Sequence, residues 1–178
     1  MTPGDPPLLR VVVTGSECTG KTTLAAALAR HYGTLWVPEH AREYVAAKKA
    51  AVVFADVENI ARGQLASEAR IAAAARRLLI QDTDLLSTVV YSRHYFGSCP
   101  AWIEAEALAR RPDLYLLAGI DVPWEAEGDQ RDRGDRREEM QGLFRDATAV
   151  AGATTIEIAG DPEERTRRSI RAIDALLE

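Results

Sequence analysis

The nine residues Gly15–Thr23, GSECTGKTT, stand between the apolar run LLRVVV and the alanine-rich run LAAALAR. A strand-like segment thus passes through two glycines, a lysine and two hydroxyls into a helix-like one. Gly15, Gly20, Lys21 and Thr22 satisfy G-x-x-x-x-G-K-[ST] in the strand–loop–helix setting that this pattern needs. The glycines let backbone N–H groups turn inward with no Cβ in the way, and a helix starting near Gly20 adds about half a positive charge at its N-terminus. Phosphate oxygens are the natural guest of such a loop. Ser16, Glu17, Cys18, Thr19 and Thr23 complete the expected ATP-binding stretch. Lys21 is expected to bridge the β and γ phosphates, and the Thr22 hydroxyl to take one place on Mg²⁺.

That loop constrains the rest of the chain. With 178 residues, 47% of them apolar, there is material for one substantial core, so a single domain over residues 8–178 is expected. The proline-rich residues 1–7, MTPGDPP, are expected to be disordered. Buried-strand candidates are LLRVVVTG, TLWVP, LLIQDTD, LYLLAGI and TTIEIAG. STVV follows LLIQDTD too closely for a new crossover and reads as the opening of a helix. Helical stretches alternate with the strands: KTTLAAALARHY, EHAREYVAAKK, FADVENIARGQLASEARIAAAARR, PAWIEAEALARR, DRREEMQGLFRDATAV and PEERTRRSIRAIDALLE. The last has Asp161 as N-cap and Pro162 at its first position. This repetition needs right-handed crossovers, and so predicts an α/β fold whose parallel sheet carries helices on both faces.

Composition removes several classes. A formal charge of −5 argues against general nucleic-acid binding, although 19 of the 22 cationic residues are arginine. Cys18 and Cys99 suggest neither a disulfide framework nor a zinc site, and a reducing cytoplasm fits them. There is no basic leader, and no apolar run approaches the ~20 residues that span a bilayer, so neither export nor membrane insertion is expected. Asn59, the lone asparagine, precedes Ile60, so an N-K-x-D guanine reader is absent.

Two carboxylates bear on the fate of the γ phosphate. Asp82 ends LLIQDTD, where a strand beside the first would deliver it to the metal. A helix N-cap or a solvated turn is the alternative, and Gln81 stands where an apolar residue is usual. Glu39, in VPEHARE, ends the next apolar run after the first helix. It is placed either to accept the proton of an attacking hydroxyl or simply to favour a helix start.

GSECTGKTTL, VPEHAREYV, NIARGQ, LLIQDTDLLSTVVYSRHYFGSCP and DLYLLAGIDVPWEAEGDQRD, in that order along nearly the whole chain, resemble the nicotinamide riboside kinase domain of the NadR group of NAD-salvage proteins. The resemblance implies a P-loop kinase fold, with five parallel strands in the order 2-3-1-4-5 and an arginine-rich lid. It implies ATP- and Mg²⁺-dependent phosphorylation of the 5′-hydroxyl of nicotinamide riboside. Seven residues precede the first strand run, so neither the adenylyltransferase nor the helix-turn-helix of larger NadR proteins is expected.

A cationic planar base with a ribose suits aromatic faces and carboxylates. Trp124 is a candidate to stack on the pyridinium, with Tyr95 or Tyr44 as a second wall and Asp121 nearby; ordinary packing is the competing role of each aromatic. Glu39 and Asp84 are candidates for the ribose hydroxyls, and Arg42 for orienting Glu39 or meeting the phosphate. Arg131, Arg133, Arg136 and Arg137 are the lid candidates, with Arg131 and Arg136 taken as catalytic. Interleaved Asp129, Asp132, Asp135, Glu138 and Glu139 also permit an ordinary solvated face. Gly160, Asp161 and Pro162 resemble the loop that packs on adenine in such kinases, or form a turn only. The reading competes with another nucleoside or small-molecule kinase, and with a nonenzymatic nucleotide-binding regulator.

Overall fold

The computed structural model describes residues 7–123 and 136–178. Trp124, Arg131 and Arg133 lie outside the described residues, as does Met1–Pro6 of the N-terminal segment.

Five strands, β1 (Leu9–Thr14), β2 (Trp36–Val37), β3 (Leu78–Asp82), β4 (Leu114–Ala118) and β5 (Thr154–Ile158), form one parallel sheet in the order β2-β3-β1-β4-β5. This is the expected α/β architecture and strand order. The central strands are mostly apolar because both faces are covered; every residue of β3 and β4 is buried, whereas the edge strand β5 is largely half-exposed.

Alternate residues choose alternate helix layers. Val11 and Val13 of β1 pack with Leu24 and Leu28 of α1 (Lys21–Tyr32) and with Ile173 of α7 (Pro162–Leu177). Val12, between them, turns to the other face. There it meets Leu86 of α4 (Leu85–Phe96) and Ala151 of α6 (Arg137–Ala151). On that face Leu117 packs with Met140 and Phe144 of α6. Phe144 is fully buried, and truncation to alanine should cost about 3–5 kcal/mol.

The remaining helices form a side layer. α3 (Val57–Ala72), entered through a 3₁₀ turn at Phe54–Asp56, packs through Val57 and Ala61 on Leu85 and Val89 of α4 and on Ile103 of α5 (Ala101–Ala109). STVV lies inside α4, as its closeness to β3 requires. α2 (His40–Lys48) differs from all of these, since none of its residues is buried. No helix among the described residues is long and apolar enough to cross a membrane.

Candidate active site

The register places the loop and its partner carboxylate at the same sheet edge. Val13 of β1 is paired with Asp82, the last residue of β3, and β1 then opens into the Gly15–Thr22 loop. Gly15 has φ 130°, and a Cβ there would fall 2.9 Å from the carbonyl oxygen of Ala118, so the loop can pass this close to β4 only without a side chain. Gly20, at φ 76°, is the N-cap of α1. Lys21 Nζ donates to the Ser16 carbonyl at 2.6 Å, and the Thr19 hydroxyl donates to the same oxygen at 2.9 Å. The lysine head is thus held within the loop, at the start of α1 where the helix dipole also favours anions.

Thr22 Oγ1 donates to Asp82 Oδ2 at 2.5 Å. Asp82 is buried, and its Oδ1 has no hydrogen-bond partner. Burial pushes its carboxyl above the usual range; the Thr22 bond opposes this, and the Glu39 charge adds to it. A buried carboxylate with one oxygen unmet, beside a hydroxyl, fits a divalent cation. Among the described residues no group of three or more His, Cys, Asp or Glu could hold a metal. An ion here would therefore rest on Thr22, Asp82, phosphate oxygens and water, which is the habit of Mg²⁺.

From the phosphate loop a cavity of about 710 Å³ runs outward. Lys21, Glu39, Thr83 and Asp84 line one part of it, α2 and residues 49–52 form one wall, and Ser87, Tyr91, Tyr95 and Phe96 of α4 form another. Glu39 is the N-cap residue of α2 but makes no side-chain cap bond, and its Oε2 lies 3.7 Å from Arg42 Nε. Asp84 is engaged by both oxygens. Oδ1 accepts from the Leu86 amide at 3.0 Å, capping α4, and Oδ2 accepts from the Tyr115 hydroxyl at 2.7 Å. Burial raises its pKa to about 6. Tyr91 and Tyr95 have nearly parallel rings, 6.0 Å apart.

Two residues expected at the acceptor site lie elsewhere. The Tyr44 hydroxyl donates to Asp56 Oδ1 at 2.7 Å and ties α2 to the 3₁₀ turn, outside the cavity lining. Asp121, just past the end of β4, accepts from the Gly160 amide at 2.7 Å and from Arg165 Nη2 at 2.5 Å, so it is tied to the loop after β5. The arginine it meets, Arg165, was not singled out in the sequence. It is buried, and it also donates to the carbonyls of Gly160, Thr19 and Gly119 at 2.8, 2.9 and 3.0 Å. The Gly160–Pro162 segment is thereby fastened to the phosphate loop, while Asp161 caps α7 by accepting from the Glu164 amide.

Of the described lid arginines, Arg136 is exposed, whereas Arg137 donates to the carbonyls of Val122 at 2.9 Å and Cys18 at 3.4 Å. Tyr91 and Gln64 are also cavity residues that the sequence reading passed over. Ser87, Tyr91 and Tyr95 recur every fourth residue, a signal for one helix face that was available in the sequence.

A family profile described as an AAA domain matches residues 10–165. The chain belongs to that AAA-domain family. This AAA domain is also homologous to NadR. It is 26% identical over 174 residues to the trifunctional NAD biosynthesis/regulator protein NadR of Escherichia coli (strain K12), covering 94% of this chain and 42% of that protein. A crystal structure of NadR protein in complex with NAD and AMP-PNP superposes with a TM-score of 0.76 at 26% identity, over 93% of this chain and 48% of that one. A second, of NadR protein in complex with NR, gives a TM-score of 0.72 at 26% identity, over 93% of this chain and 50% of that one. The AAA domain described here thus spans about half the length or less of these relatives.

Proposed function

We propose that this chain transfers the γ-phosphoryl group of ATP to the 5′-hydroxyl of nicotinamide riboside, giving nicotinamide mononucleotide and ADP. The observation that carries the reading is the continuity of the cavity, whose lining takes in Lys21 and Glu39 as well as Tyr91 and Tyr95. One end suits a phosphate and an attacking hydroxyl; the other suits a flat cationic base.

The supply of hydrogen-bonding groups favours this base over a pyrimidine or purine. Gln64 is the only side-chain amide lining the cavity among the described residues, and both its ends are engaged, by the His40 amide and by Glu68. No side-chain amide among the described lining residues is thus left to pair with a Watson–Crick edge. The homologous NadR crystallised with NR, the abbreviation of nicotinamide riboside, supports the same choice.

In the transfer, the 5′-oxygen forms a bond to the γ phosphorus, the bond to the β,γ-bridging oxygen breaks, and the hydroxyl proton passes to Glu39. Lys21 and the loop amides hold the phosphates in line. Thr22 and Asp82 would hold Mg²⁺, which supplies charge neutralisation at the phosphates. Arg137, already against the Cys18 carbonyl, and Arg42, in the cavity lining 3.7 Å from Glu39, are the described arginines assigned to meet the transferred group. Arg131 and Trp124 keep the lid and base-stacking roles that the sequence suggests. Gly160, Asp161 and Pro162 are assigned to the adenine end.

The test is a panel of nucleosides incubated with ATP and Mg²⁺ and scored for monophosphate. Nicotinamide riboside should have the highest kcat/KM. A different nucleoside preferred by about tenfold or more would overturn the base assignment and leave the second reading, another nucleoside kinase.

A further inference from the structure

α2 forms one wall of the cavity but fully buries none of its side chains, so packing alone holds it only weakly. Its anchorage is polar and lies on α3 and the turn before it. At its last turn Tyr44 and Lys48 both reach Asp56. At its first turn the His40 backbone N–H donates to Gln64 Oε1 at 3.0 Å. The His40 ring rests against Gly63, where a Cβ would stand 1.9 Å from Nε2, so any other residue at 63 would displace it.

The peptide that Gln64 holds is the one joining Glu39 to His40, and a peptide is planar. Fixing the His40 N–H therefore fixes the Glu39 carbonyl carbon and limits where the Glu39 side chain can begin. Gln64 is itself constrained. It is 3% exposed, and its amide nitrogen donates to Glu68 Oε1 at 3.3 Å, on a residue that is 5% exposed. Turning the Gln64 amide end for end would set an NH₂ against the His40 N–H. Accepting from the NH₂, Glu68 keeps the oxygen facing α2.

We propose that Gln64, held in orientation by Glu68 and beside the glycine that seats His40, is a positioning residue that sets the Glu39 carboxylate at the phosphate end of the cavity. The inference rests on the reading of Glu39 as proton acceptor.

The experiment compares Gln64→Met, which keeps length and loses the acceptor, with Gln64→Glu, which keeps an acceptor oxygen. Measured are kcat and KM with nicotinamide riboside, ATP and Mg²⁺, the ATP dissociation constant, and exchange of the His40 amide by NMR. Loss of the bond should lower kcat about tenfold or more and speed His40 exchange by a similar factor, with ATP affinity within about twofold of wild type. Gln64→Glu, made together with Glu68→Gln so that an amide NH₂ still meets a carboxylate across the pair, should recover most of both effects. Should Gln64→Met fail to fold, Gly63→Ala carries the same expectations. Unchanged kcat, an equal loss of ATP affinity, or unchanged His40 exchange would overturn the proposal. Glu39→Gln is run alongside. Wild-type turnover there removes the proton-acceptor reading, while His40 exchange still decides what Gln64 holds. A crippled Glu39→Gln beside an unaffected Gln64→Met removes the positioning role alone.

Discussion

The 2.5 Å hydrogen bond from Thr22 Oγ1 to Asp82 Oδ2 joins the first turn of α1 to the end of β3 across 60 residues of sequence. It brings the one hydroxyl and the one carboxylate expected on the metal into contact, and leaves Asp82 Oδ1 unmet. Asp82→Asn should therefore abolish the extra thermal stabilisation that Mg²⁺ gives to the ATP-saturated protein, and lower turnover by about 100-fold or more. Thermal melts with ATP, with and without Mg²⁺, read this directly. An Mg²⁺ increment equal to wild type would take Asp82 off the metal.

Glu68 gives a pH signature that is read in stability, without an assay of turnover. Burial, with a contribution from the Asp84 charge, raises its pKa from 4.5 to about 7. The folded state then binds more protons than the unfolded state between those values, so this group's contribution to stability falls as pH rises from about 4.5 to about 7 and is level above. The size is on the order of 3 kcal/mol. Glu68→Gln, which cannot ionise, should flatten that part of the curve of unfolding free energy against pH. An identical slope in wild type and variant would mean that Glu68 titrates normally.

Arg165 bridges the phosphate loop and the segment after β5 through four partners. Arg165→Met removes the hydrogen bonds to the Thr19, Gly119 and Gly160 carbonyls and the ion pair with the exposed Asp121, and should destabilise by about 1–3 kcal/mol. The KM for ATP should rise more than the KM for the nucleoside. Chemical denaturation and two-substrate kinetics separate these. Equal effects on both KM values would make the bridge purely structural.

Tyr95→Leu keeps bulk on the α4 wall while removing the aromatic face. The KM for nicotinamide riboside should rise roughly fivefold to thirtyfold, with ATP affinity unchanged. A parallel rise in both would place Tyr95 in the scaffold.

Much of this arrangement was legible in the chain itself. β1, the phosphate loop and α1 could be read because hydrophobic patterning, two glycines and Lys21 all point to one local structure. STVV is discounted as a strand because it follows LLIQDTD too closely for a crossover, and it lies in α4. Tyr44 and Asp121 went astray for a shared reason. Tyr44 lies among the cavity-lining residues of α2 and Asp121 just past the end of β4, but each side chain finds a partner, Asp56 for one and Arg165 for the other, that only the tertiary structure supplies. Arg165 was invisible for the converse reason. In PEERTRR it looks like one more solvated arginine, and its burial depends on three loops converging at the sheet edge.

The central claim is that the Gly15–Thr22 loop and the adjoining cavity act as one site for phosphoryl transfer. A single-turnover assay with γ-labelled ATP, Mg²⁺ and nicotinamide riboside tests it most directly, comparing wild type with folded Lys21→Ala. The label should appear on the nucleoside 5′-oxygen with wild type, and its rate of appearance should fall by roughly 100-fold or more without Lys21. Equal rates in the two proteins, or no labelled nucleotide from wild type while ATP binds, would contradict it.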